Sequence, residues 1–186
     1  MTANNENQSS RAWKPIVVAL CVLAAAALSH PVGAVDVCGS VCDQNWIAAQ
    51  SPYVATCDVT VASGCHLNIY GDVEVRFQAG SALVVDGELN VVGTSEATVT
   101  FTSDASSPVP GDWRGLELVG SSISLIDYAT VRWADHGIHV NDDAYVALND
   151  VEAKRNNTGL RVEGTGPPTV HAGDCTFTVL SRNRDQ

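Results

Sequence analysis

A short pattern recurs at a fixed interval, and that recurrence restricts the chain to one kind of architecture. Gly115-Leu116-Glu117-Leu118 returns as Gly137-Ile138-His139-Val140 and again as Gly159-Leu160-Arg161-Val162, a step of 22 residues each time. The same step puts Ile126, Leu148 and Val170 in one expected column and Val131, Ala153 and Cys175 in another, with no insertion needed between Gly115 and Cys175. Upstream, His66-Leu67-Asn68-Ile69-Tyr70-Gly71 matches Glu88-Leu89-Asn90-Val91-Val92-Gly93, also 22 apart. Val75-x-Phe77 and Val99-x-Phe101 are 24 apart, which predicts one coil lengthened by two residues at a turn. A unit this short cannot bury an apolar face alone and must stack on its neighbours.

The unit is built from strands. Val73-x-Val75-x-Phe77, Leu83-x-Val85, Val99-x-Phe101 and Leu116-x-Leu118 alternate with period two, the signature of strands with one face buried. Val, Thr, Ile and Phe fill these runs, while Gly, Asp and Asn punctuate them. No long amphipathic helix is apparent after Ala34. The frame of leucine-rich repeats, Leu-x-x-Leu-x-Leu-x-x-Asn, is missing. Three short strands and three turns fit one unit, and equivalent strands of successive coils then pair in parallel about 4.8 Å apart. The expected fold is therefore all-β, a parallel β-helix of about 22 residues per coil.

The ends read differently. Residues 1–34 have the form of a signal peptide: Arg11 and Lys14, an apolar run from Ile16 to Leu28, a break at Ser29-His30-Pro31, and small residues at Val32-Gly33-Ala34. Thirteen apolar residues make about 20 Å of helix, short of a bilayer core of about 30 Å, so no stable membrane span is expected after cleavage. Residues 35–56, with Trp46, Ile47, Ala48 and Ala49, are read as an N-terminal cap, and 57–186 as the repeats. One step beyond Gly159 falls at Ser181, close to the end at Gln186, so the β-helix is read as truncated at its C-terminus.

Export gives meaning to the cysteines and the charge. Cys38, Cys42, Cys57 and Cys65 cluster within 28 residues and are expected to form two disulfides, with three connectivities open. Their spacing does not fit a usual zinc site. Cys175 is the odd one, expected as a buried core thiol. Removal of residues 1–34 takes the chain from 10 basic and 21 acidic residues to 8 and 20, a net charge of −12. An acidic surface repels phosphates, so nucleic acid is not an expected partner, and anionic lipid is excluded on the same ground.

Ser51-Pro52-Tyr53, Val59-Thr60-Val61, Leu67-Asn68-Ile69-Tyr70-Gly71 and Leu83-Val84-Val85-Asp86-Gly87-Glu88-Leu89 resemble the entry coils of bacterial right-handed parallel β-helix proteins of the pectin-lyase-like class. Phe101-Thr102-Ser103 leading to Gly111-Asp112-Trp113-Arg114-Gly115-Leu116 is the most characteristic stretch. The resemblance implies a right-handed winding, in agreement with the rule for parallel crossovers. It does not fix an activity, because this architecture hosts lyases, hydrolases and adhesins. Lyases of this class use an arginine base beside calcium-binding acids. Arg161 could match the arginine, but no acids match beside it.

The repeat also predicts which polar side chains are neighbours. Glu117, His139 and Arg161 should point outward and stack about 5 Å apart, a carboxylate, an imidazole and a guanidinium in line. This column is the first candidate for acid–base chemistry, and a stabilising cross-rung charge ladder is its competitor. Asp127, Asn149 and His171 form a second expected column, a carbohydrate-binding candidate with Trp113 and Trp133, whose rings could stack on sugars. Asp142 and Asp143 in the turn Asn141-Asp142-Asp143 are weak metal candidates, since calcium needs six to eight oxygens. No cofactor is expected, with Ca2+ left open.

Three functional expectations follow. The first is a non-catalytic extracellular module with a structural, surface-adhesion or carbohydrate-contact role, whose partner is a polysaccharide or a cell-surface component. The second is a polysaccharide lyase or glycoside hydrolase. The third is an inert fragment of a longer surface protein. All three place the protein outside the cell or at its surface, with the periplasm as the alternative.

Overall fold

A computed structural model describes residues 33–120, 122–141, 144–163 and 169–179. The residues read as a signal peptide before Gly33, the metal candidates Asp142 and Asp143, and Ser181 at the chain end lie outside the described residues. The described residues form a parallel β-solenoid of about 6 turns with spacing near 22 residues. Every pairing between its strands is parallel.

Three faces run the length of the coil. The first holds the second half of β3 (Tyr53–Val61), then β6 (Ala82–Val85), β9 (Gly115–Leu118), β11 (His136–Asn141) and β13 (Thr158–Glu163). The second holds β2 (Gln44–Trp46), β4 (His66–Tyr70), β7 (Glu88–Val92), the first halves of β10 (Ile123–Arg132) and β12 (Tyr145–Asn156), and β14 (Thr169–Ala172). The third joins the first halves of β1 (Val35–Val41) and β3 to β5 (Glu74–Phe77), β8 (Val99–Ser103), the second halves of β10 and β12, and β15 (Thr176–Val179), while the second half of β1 pairs with β3 on the first face.

The alternation read from the sequence sets the core. Val59, Val61, Leu83, Val85, Leu116, Leu118, Ile138 and Val140 point inward from the first face and are all buried. Leu67, Ile69, Leu89, Val91, Ile126 and Leu148 do so from the second, and Val75, Phe77, Phe101, Val131 and Ala153 from the third. Single residues in the left-handed region make the corners. Tyr128 (φ 51°) and Asp150 (φ 50°) turn the chain from the second face to the third one coil apart, and Trp133 (φ 69°) and Arg155 (φ 57°) mark the next corner in the same way. Long strands therefore bend through a corner without a loop.

The N-terminal segment expected as a cap enters the ladder itself, through β1 on β3 and β2 on β4. Trp46 is buried there and stacks on Tyr53 with ring centroids 4.7 Å apart. Cys38 bonds Cys57 and Cys42 bonds Cys65, which selects one of the three connectivities.

Two registers differ from the sequence reading. Val75 pairs with Phe101 rather than Val99, a step of 26, so that coil is longer by four residues; the surplus is taken up at a turn where Thr94 and Ala97 exchange backbone hydrogen bonds. In the last coil Leu148 pairs with Ala172 and Ala153 with Phe177, steps of 24, so two residues are inserted between Glu163 and Thr169. Val170 therefore sits opposite Val146, not Leu148, and Cys175 is not opposite Ala153. Cys175 is part-buried, packs against the core and is a free thiol, with desolvation pushing its pKa up.

Asn156, at the end of β12, is fully buried and joins two coils: the Ala134 N–H donates to its Oδ1 at 2.8 Å and its Nδ2 donates to the Val131 carbonyl at 3.0 Å. Asn156→Ala would leave a buried N–H and a buried amide acceptor without these partners. It is expected to cost about 3 kcal/mol, read as a fall in Tm of roughly 10 °C by circular dichroism. An unchanged Tm would mean that water replaces both bonds.

Candidate functional site

The outward column on the first face forms as its spacing predicts. His139 pairs with Glu117 on one side and with Arg161 on the other. What the spacing does not reveal is how fully these groups are engaged. Arg114, just before β9, donates to Glu117 through Nε at 2.9 Å and Nη2 at 3.2 Å, and through Nη1 to both Asp58 oxygens at 3.0 and 3.2 Å. These carboxylates, Glu117 first, raise the pKa of the Arg114 guanidinium further. His139 Nε2 lies 3.2 Å from Glu163 Oε1, and Arg161 Nε donates to Glu163 Oε2 at 2.8 Å. The Arg161 hydrogen bond holds the Glu163 carboxyl below its usual range.

Arg161 also approaches His136 Nε2 with Nη1 at 2.7 Å. A guanidinium can only donate, so in this contact Nε2 is the acceptor. That Nδ1 is buried and has no partner among the described residues. His136 and His139 meet edge to face with centroids 5.3 Å apart. The result is two clusters on one face, Asp58–Arg114–Glu117 and Glu163–His139–Arg161–His136, in each of which the charged members hold one another.

The second expected column is brought together only in part. Asn149 Nδ2 donates to Asp127 Oδ1 at 2.7 Å across one rung. His171 is not the third member. The two-residue register shift sets it opposite Ala147, and its ring lies 5.5 Å from that of Tyr145.

The two tryptophan candidates part company. Trp113 is fully buried, lies flat on Phe77 with centroids 4.0 Å apart, and donates Nε1–H to the Arg132 carbonyl at 2.9 Å. It is therefore a core residue and is not accessible to a sugar. Its burial accounts for the Gly111-Asp112-Trp113-Arg114-Gly115 stretch as structure. Asp112 accepts from the Ser103 hydroxyl at 2.7 Å and the Val109 amide at 3.0 Å, Trp113 fills the corner, Arg114 holds the outer carboxylates, and Gly115 permits close approach of the next coil. Trp133 is only partly buried, packing against the core on one side, with the Arg155 guanidinium 5.0 Å from its ring centroid.

Trp133 opens onto a groove of about 470 Å³ on the third face, which sequence reasoning did not find. Its floor is the outer surface of β5, β8 and β10. Arg76 pairs with Thr102 across one rung, and Arg132 pairs with Lys154 across another. Arg132 Nε donates to Thr102 Oγ1 at 3.2 Å, which ties the intervening rung to this row. Arg76 is ion-paired with Glu74, and Lys154 with Glu152 at 2.5 Å. One wall is the 104–108 segment, whose continuation is fixed where the Gly111 and Asp112 amides donate to the Trp133 carbonyl. Described residues 33–179 hold six Lys and Arg residues, and four of them, Arg76, Arg132, Lys154 and Arg155, stand on or beside this face. Among the described residues no group of three or more His, Cys, Asp or Glu side chains is placed to hold a metal ion, and no helix is long and apolar enough to cross a membrane.

A model of the pectate-lyase like beta helix domain matches residues 39–165. No curated protein and no solved structure gives a significant match.

Proposed function

The chain belongs to the pectate-lyase-like β-helix domain family, and we propose that within it the protein is a non-catalytic extracellular module that contacts carbohydrate without cleaving it. The observation that supports this reading is the closure of the Glu117–His139–Arg161 column. A general acid or base must reach a substrate proton in a definite protonation state. Here Glu117 is held by Arg114, and Glu163 is shared by His139 and Arg161. A charge ladder of this kind stabilises cross-rung pairing by a few tenths of a kcal/mol per pair, roughly, which suffices to account for it without catalysis. The two disulfides are compatible with an extracellular setting.

Assays of the purified protein on neutral and acidic polysaccharides, with and without added calcium, should detect neither new reducing ends nor unsaturated products. Reproducible turnover would sink the non-catalytic reading. One observation favours the alternative of a polysaccharide lyase or glycoside hydrolase: His136 has a buried Nδ1 with no partner among the described residues and an arginine on its other nitrogen. Were turnover found, an Arg161→Ala, His139→Ala double variant with full activity would remove this column as its site.

A further inference from the structure

We propose that the outer surface of the second face docks a basic amphipathic segment of a partner protein, whose apolar edge covers a stripe from Tyr70 to Tyr145 and whose lysines and arginines meet carboxylates on either side of it. This goes beyond the carbohydrate-contact reading and does not depend on it.

Seven large apolar side chains are exposed among the described residues, and four of them, Tyr70, Val92, Ile123 and Leu125, stand on this one face, each 41 to 54 % exposed. Register brings them together. Tyr70 pairs with Val92 across one rung. Val92 lies opposite Asp127, so Leu125, two residues earlier in β10, is its diagonal neighbour. Ile123 and Leu125 share the outer side of β10 and pair with Tyr145 and Ala147 of β12. The outward positions of β4, β7, β10 and β12 thus carry an oblique apolar stripe roughly 15 Å long. In β10 the usual alternation is inverted. Ile123 and Leu125 face solvent while Ser124 is buried between them, accepting from the Leu89 amide at 3.2 Å. Folding alone would be served better by the opposite pattern.

The rim of the stripe is acidic. Glu88, two residues before Asn90 in β7, borders it on one side, and Asp127 borders it on the other. Glu88 accepts from Asn90 Nδ2 at 2.7 Å and lies 3.5 Å from the exposed His66, which also contacts Asp43; Asp127 accepts from Asn149 Nδ2 at 2.7 Å. Past Asp127, at the corner, Asp150 and Glu96 join it around Tyr128, and these carboxylates, Asp150 first, push the phenol's pKa up. His171 stands at the far end against Tyr145. Among the described residues no lysine or arginine is ion-paired with Glu88, Glu96, Asp127 or Asp150. Arg76, Arg114, Lys154 and Arg161 are paired with acids of the first and third faces, Arg132 holds Thr102, and Arg155 lies over Trp133.

An apolar centre inside a rim of carboxylates without fixed cations is complementary to an apolar edge flanked by basic side chains. Three turns of helix, about 16 Å, match the length of the stripe. A second copy of this chain fits less well. It would bring the same carboxylates against these, and the stripe is far smaller than the roughly 800 Å² per partner of a standard interface.

Fluorescence anisotropy with the full chain and three labelled peptides tests the proposal: an amphipathic helical peptide of leucine and lysine, its leucine–glutamate counterpart, and oligolysine of the same charge. The leucine–lysine peptide should bind, more weakly as salt rises, at least about tenfold tighter than oligolysine, with the glutamate peptide silent. Ile123→Ser and Leu125→Ser should each weaken binding by about tenfold. A Glu88→Gln, Asp127→Asn double variant should weaken it as well and flatten its salt dependence. A Glu74→Gln, Glu152→Gln double variant, which removes the same charge from the third face, should leave it unchanged. Melts followed by circular dichroism confirm that each variant is folded. Equal binding of oligolysine would overturn the apolar stripe, and equal binding of the glutamate peptide would overturn the acidic rim. No binding, or binding that survives the Ile123 and Leu125 changes, would overturn the site. A dimer in sizing that Leu125→Ser dissociates would overturn the proposal by giving this face to a second copy.

Discussion

Gly115→Ala is expected to abolish cooperative folding, the largest effect of any single substitution in the repeat. A Cβ built on Gly115 would lie 1.6 Å from the His136 carbonyl oxygen, far inside any contact that atoms tolerate, and the residue has φ +131°, which L side chains rarely adopt. Neither problem can be relieved locally. The obstructing atom is backbone of the next coil, and that coil is held in register by the His136 amide donating to the Arg114 carbonyl and by β9 pairing with β11. Accommodating a methyl would pry two rungs apart, with a cost upwards of about 4 kcal/mol. Gly137→Ala should cost less, because its φ is ordinary and its Cβ would meet the Gly159 carbonyl at 2.6 Å and Asn156 Nδ2 at 2.7 Å. Gly64→Ala is the control. Gly64 has φ +77° but nothing within 4 Å, so only the left-handed backbone penalty of about 1 kcal/mol applies. Thermal melts followed by circular dichroism should rank the three in that order. A Gly115→Ala protein that melts within a few degrees of the parent would mean that the coils are not packed this closely at the corner.

The same glycines explain what could be read from the sequence. Gly115 and Gly137 are fixed because the backbone of the next coil approaches each of them and leaves no room for a side chain. That made the period, the strands and the Glu117–His139–Arg161 neighbours legible. The misread registers share a physical cause. A strand with one buried face has period two, so a slip by one residue would turn its apolar side chains outward, but a slip by two or four leaves them all inward. Val99 and Phe101 both face the core, and the pattern alone cannot say which of them stands opposite Val75. Val170 and Ala172 present the same ambiguity opposite Leu148, and His171 was misplaced with them. The groove was illegible for a related reason. Its cations sit on coils of unequal length, with Arg76 opposite Thr102 at 26 residues and Arg132 opposite Lys154 at 22, so no constant step connects them. The partial signal was compositional: in an acidic chain half of the described basic residues, Arg76, Arg132 and Lys154, occupy equivalent outward positions of one face.

The other large effect is expected at the N-terminal end. Breaking either disulfide should cost about 3 kcal/mol, and breaking both should unfold the first coils well before the rest. The bridges close loops of 19 and 23 residues, and the chain-entropy argument gives nearly the same stabilisation for both lengths. Their placement makes them matter more than their size suggests. Cys38 lies within β1, whose register slips between Val37 and Gly39, and Cys42 just precedes β2, a strand of three residues. Strands this short and irregular hold few rung bonds of their own, and β1 and β2 are the outermost strands joined to β3 and β4. A coil at the end of a solenoid has a neighbour on one side only, so it frays first. Cys38–Cys57 ties it to β3, and Cys42–Cys65 ties it to the turn before β4. Reduction should therefore appear in native-state hydrogen exchange as lost protection across residues 35–61 and of the Trp46–Tyr53 stack, while β9 to β12 keep theirs until the global transition. Uniform loss of protection along the chain would instead mean that the solenoid melts as one unit and that the bridges stabilise all of it. A protein indifferent to reduction would mean that Trp46 and Tyr53 suffice to hold the first coil in place.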